Sequence, residues 1–161
     1  MTNGISLTNR RLTAVKGMAA FLPNQPIIHD CIYSPTATEN LQVGDIVTFD
    51  ADTTLKGVPV LKKAQATDTP AGVVVYNAIK STFEPNDRIS IFPDNSFVQL
   101  PAGAANITLG TKVMLNTQGQ VVEATAGNGV IGITWTAPSV IDDLIVVQIK
   151  PEAIAAAPSG T

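Results

Sequence analysis

Val43-Gly44-Asp45-Ile46-Val47-Thr48-Phe49-Asp50 is the stretch whose reading decides the fold. An apolar residue and a glycine lead into a β-branched run that stops on an aspartate. The side chains of 45, 47 and 49 fall on one face of an extended chain and those of 46 and 48 on the other, as in a half-buried strand. The pattern returns as Leu109-Gly110-Thr111-Lys112-Val113-Met114-Leu115-Asn116. Each copy precedes a glycine-containing apolar run, Ala71-Gly72-Val73-Val74-Val75 or Ile131-Gly132-Ile133-Thr134-Trp135. Closing runs follow at Ile89-Ser90-Ile91-Phe92 and Leu144-Ile145-Val146-Val147. This predicts two related β-units packed face to face, with Gly44 and Gly110 supplying tight turns of positive φ. Chance similarity between two hairpins is the competing account.

Outward from these copies the same kind of segment continues. Strands are expected over 27–33, 45–49, 60–64, 71–79, 88–92, 96–100, 112–116, 120–124, 130–137 and 144–149. Turn residues fall between them at Pro85-Asn86-Asp87, Pro93-Asp94-Asn95, Gln118-Gly119 and Gly127-Asn128-Gly129. No central stretch sustains a helical apolar period. The fold class is all-β: a compact β-sandwich or small β-barrel body with an extended N-terminal arm. The expected boundaries are an arm over 1–26, a β-domain over 27–150 and a C-terminal tail over 151–161.

Of the 161 residues, 45% are hydrophobic but only 14% charged and 5% aromatic, against about 25% charged in an average soluble domain. A core must therefore come from Val, Ile, Leu and Ala. A surface short of Lys and Glu suits contact with neighbours, although a monomer with a Thr/Asn-rich surface fits the composition too. The net charge of −3 argues against a basic nucleic-acid-binding face. Residues 1–29 hold Arg10, Arg11 and Lys16 without a carboxylate, and residues 30–161 hold seven basic against thirteen acidic side chains. Arg10, Arg11 and Lys16 are thus the candidate interface residues, docking the arm on an acidic surface. Three charges over such a stretch also arise by chance. No signal-peptide pattern opens the chain and no apolar run approaches the ~20 residues of a membrane helix. A soluble protein made in a cytoplasm is expected, with neither nucleic acid nor membrane as partner.

Catalysis has little to draw on. His29 is the single histidine and Cys31 the single cysteine, so an intrachain disulfide is impossible. In an extended strand these two would share a face, yet nucleophile and base are usually brought together from distant segments. Asp50-Ala51-Asp52-Thr53 offers oxygen ligands but lacks the glycine and distal glutamate of a calcium loop. Asp50 and Asp52 read better as turn caps. The expectation is no catalytic residue, no cofactor and no metal.

The order Leu41-Gln42-Val43-Gly44-Asp45-Ile46-Val47, Pro70-Ala71-Gly72-Val73-Val74, Leu109-Gly110-Thr111-Lys112-Val113 and Val130-Ile131-Gly132-Ile133 resembles bacteriophage capsid cement (head decoration) proteins. The resemblance spans about 41–150. It implies a β-body with an arm, a place on the outer capsid surface of the virion, the major capsid protein as partner, and self-association into a homo-oligomer, often a trimer. On this reading the chain is a structural protein that bridges adjacent capsomers. Two other readings stay open: a carbohydrate-binding or adhesin-like β-sandwich around Tyr33, Tyr76 or Trp135, and a head–tail or tail structural protein.

Overall fold

The computed structural model describes residues 16–17, 25–75, 77, 79–125 and 128–152. Among them there is no helix; the chain forms β1 (Ile28–Tyr33), β2 (Leu41–Gln42), β3 (Ile46–Phe49), β4 (Val60–Lys63), β5 (Gly72–Val74), β6 (Thr82–Phe83), β7 (Arg88–Phe92), β8 (Phe97–Pro101), β9 (Lys112–Leu115), β10 (Val121–Glu123), β11 (Val130–Thr134) and β12 (Leu144–Glu152). The first half closes into a barrel ordered β1-β4-β3-β5-β7, the second forms a sheet ordered β10-β9-β11-β12-β8, and β2 pairs with β6. The all-β expectation holds, and of its two architectures the first unit is a barrel.

The two copies read from the sequence are two copies in space. In the first unit β4, β3, β5 and β7 are neighbours in that order, and in the second β10, β9, β11 and β12. Val47 faces Gly72 across β3 and β5 as Val113 faces Gly132 across β9 and β11. β1 closes the first barrel by antiparallel pairing with β7 and parallel pairing with β4, where Tyr33 faces Leu61. β8 pairs antiparallel with β12, and a single parallel bridge from Ala102 to Val121 stands where β1 meets β4. The second unit is therefore the same barrel with its last seam reduced to one bridge.

The loops agree as well. Tyr33 donates to Asp87 O and accepts from Asn86 N as Ala102 donates to Asp143 O and accepts from Asp142 N, and the Asp87 and Asp143 carboxylates accept the N–H of Glu84 and Val140. Asn86 and Asp142 both take positive φ, 72° and 69°, and Gly44 and Gly110 turn at 76° and 78°. The closing strands superpose Ile89 on Ile145 and Ile91 on Val147, because Val74 faces Ile91 as Thr134 faces Val147.

Two apolar clusters result. Cys31, Tyr33, Leu41, Val47, Leu61, Val74, Phe83, Ile89 and Ile91 fill the first barrel, as side chains fill any barrel of this size. The second cluster joins the interior of the second unit (Leu100, Val113, Val121, Ile145, Val147) to the outside wall of the first (Ile46, Ala64, Val73, Phe92). β3 is consequently covered on both sides: Ile46 and Val47 are each almost fully buried, while Phe49 is 64% exposed. That corrects the half-buried reading of this strand, since alternation marks one wet face and here a second unit covers it.

Other differences are local. The run expected over 71–79 ends at Val74, because Asn77 Oδ1 turns the chain by accepting from Ile79 N (2.8 Å) and Lys80 N (3.3 Å). β2 and β6, two residues each, are too short to show a period. β12 runs on to Glu152, paired with Val130.

Candidate interaction surface

Arg10 and Arg11 lie outside the described residues, and the three candidate interface cations are not seen together. Lys16 is held within the chain: its Nζ lies 2.7 Å from Oδ1 of Asp45, a carboxylate only 6% exposed. Asp45 Oδ2 accepts from Gln42 N at 2.9 Å and has Lys63 Nζ at 3.6 Å. Burial works to lower the Lys63 ammonium, but Asp45 and Glu39 outweigh it and hold its pKa above the ordinary value. Gly17 donates to Gln99 O at 2.9 Å, and a Cβ at Gly17 would stand 2.5 Å from Gly44 N. This dipeptide therefore ties the Gly44 turn of the first unit to β8 of the second. The dense pairing at Asp45 explains why its carboxylate tolerates burial.

His29 and Cys31 do not share a face. Asp30 between them takes φ 61° at a bulge in the β1–β7 pairing, which breaks the alternation of the strand. His29 is exposed with Nδ1 3.0 Å from Ser90 Oγ, while Cys31 is buried in the first barrel. Burial, with Asp30 adding to it, pushes the Cys31 thiol up, the direction that disfavours the nucleophilic thiolate. Asp50 caps a turn: its Oδ2 accepts from Ser34 Oγ at 2.5 Å and its Oδ1 from Asp52 N at 3.2 Å. Asn116, its counterpart in the second unit, accepts from Gln118 N and Gln120 N through Oδ1, both at 2.9 Å. Asp143 likewise accepts two backbone N–H groups, from Ser139 and Val140. Among the described residues no three His, Cys, Asp or Glu side chains stand together as metal ligands would.

What the surface does offer is apolar. Phe49 and Ile28 are exposed at one end of the first barrel, and Leu109 and Trp135 on the second unit. Trp135 is half exposed; its ring meets Phe97 edge-on at 5.1 Å and its Nε1 donates to Gln148 Oε1 at 3.1 Å. Leu109, Ile133, Trp135 and Gln148 line a shallow cavity of about 320 Å³. Exposed apolar residues gathered in this way mark contact surfaces. Reading the two copies side by side was the signal that could have found them, since Trp135 occupies the place of Val75.

The sequence model of a family described as XM1 gp53 minor capsid protein matches residues 15–149. Among solved structures, the head fiber gp8.5 N base of bacteriophage phi29 superposes with a TM-score of 0.54 at 14% identity, covering 78% of this chain and 95% of that one. No curated protein matches the sequence.

Proposed function

The chain belongs to the XM1 gp53 minor capsid protein family, and on that premise we propose that it is a cement protein, bound to the outer surface of a phage capsid, where it bridges adjacent capsomers. The family makes it a capsid-associated structural component of the virion; the outer position, the bridging and the non-catalytic role are our reading. Its partners are the major capsid protein and further copies of itself, the resemblance implying a trimer. The family match over nearly the whole body carries this reading. The surface chemistry supports it: few charges and several exposed apolar side chains suit repeated weak contacts that add across a symmetric shell. The segment holding Arg10 and Arg11 fits a docking arm.

The test is cosedimentation of the purified full chain with shells that lack it, followed by heating. Saturable binding in fixed ratio to the shell protein, with a higher shell-disruption temperature, is the expected result. Binding without any gain in shell stability overturns the cement role; absence of binding overturns the capsid surface as its site.

A further inference from the structure

The contact between the two units is asymmetric. The first barrel contributes the outside of its wall, Ile46, Val73 and Phe92, and the second contributes Leu115 and Ile149 from the end of its interior, with Ile131 beside them in the same cluster. Leu115 and Ile131 face Ile46 and Ala64 across a shared gap, and Gly129 N donates to Ala66 O at 2.7 Å alongside. The wall of one barrel thus stoppers the end of the other.

Because the units are copies, each also carries the half of this contact that it does not use. On the second unit, Lys112, Ile133 and Gln148 occupy the wall positions of Ile46, Val73 and Phe92. Trp135, 50% exposed, and Leu109, 62% exposed, stand beside them. On the first unit, Phe49 holds the place of Leu115 at the barrel end. Phe49 is 64% exposed where Leu115 is 9% exposed, and Ile28 at the same end is 43% exposed.

We infer that copies of this chain join head to tail by repeating their own internal contact: the wall of the second barrel, around Ile133 and Trp135, closes the end of the first barrel, around Ile28 and Phe49, in the next copy. This rests on the self-association proposed above and gives it an interface. A contact between two different patches is heterologous, so it builds a ring or a chain of subunits, whereas an isologous contact builds a simple two-fold pair. Two of the wall positions, Lys112 and Gln148, are polar in the second unit. The contact between copies is therefore more polar than the internal one, as interfaces between separately folded partners are.

The test uses the purified full chain without shells, so its outcome is independent of capsid binding. Two variants, Phe49→Cys and Lys112→Cys, are treated with a short bismaleimide separately and mixed. Mixing should give a covalent dimer that neither variant gives alone, because Cys31 is buried and the two patches meet only each other. Light scattering should show a discrete oligomer for the native chain, and Trp135→Asp should return it to the 16.8 kDa monomer with its β spectrum kept. A native chain that is monomeric at high micromolar concentration overturns the inference. So does cross-linking of Phe49→Cys to itself, or an oligomer that Trp135→Asp leaves intact. Should Trp135→Asp fail to fold, the mixed cross-link decides alone.

Discussion

Asp50 shows how a single buried carboxylate is made tolerable. Its side chain is 6% exposed, yet Ser34 and the Asp52 N–H both bond to it. The Ser34 hydrogen bond, more than the opposing burial, holds its pKa below the ordinary carboxylate value, helped by Thr53, Asp52 N and Lys62. A lowered folded-state pKa stabilises the fold at pH above the unfolded value of about 3.9, and that stability is lost as pH falls through the lower folded value. Asp50→Ala should cost about 2 kcal/mol at neutral pH, since it also strips the buried Ser34 hydroxyl of its acceptor. Urea midpoints measured from pH 7 down to pH 2 should decline less steeply in the variant. An unchanged acid limb would show that Asp50 contributes nothing to it.

At the scale of the strand, Gly72 and Gly132 hold equivalent places in β5 and β11. A Cβ at Gly132 would sit 2.0 Å from Gln148 O, and one at Gly72 2.4 Å from Phe92 O. The obstacle in both is backbone of the paired strand, which cannot swing aside as a flexible side chain does. Gly72→Ala and Gly132→Ala should each destabilise by about 3 kcal/mol, the upper part of the range for overpacking, read as a drop in denaturant midpoint. If one variant is tolerated and the other is not, the two strands are not structurally equivalent. A glycine after an apolar residue in each copy was visible in the sequence; that a neighbouring carbonyl presses on it was not.

At the scale of the molecule, the segment before β1 divides in its expected effects. Replacing Arg10 and Arg11 by Ala should weaken shell binding more at low salt than at high salt, because exposed charges are screened over about 10 Å at 0.1 M. Equal loss at both salts would remove the electrostatic reading of the arm. Lys16 belongs with the body through Asp45, and Gln25 Nε2 donates to Phe97 O at 2.9 Å. Deleting residues 1–15 should therefore leave the melting temperature close to native. Deleting residues 1–26 removes these bonds and the Gly17 contact, about 1 kcal/mol each, and should lower it by roughly 5–10 °C. Equal melting of the two truncated chains would show that Lys16 and Gly17 add no stability.

The sequence by itself determined where ten of the twelve strands lie, because alternation and turn residues act locally: all ten expected runs overlap a strand, and the β7 boundaries match at Arg88–Phe92. It also carried the duplication and the family resemblance, since both are written as repeated short patterns. Partners and coverage were decided by tertiary structure. The parallel pairing of β1 with β4 closes the first barrel through residues such as Tyr33 and Leu61, far apart in the chain, and no local pattern names a partner. Val47 and Ile46 are both buried while Phe49 is open, because one barrel covers the wall of the other and leaves its end free. A strand's own residues set its two faces; only the packing of the two copies decides which of those faces meets water.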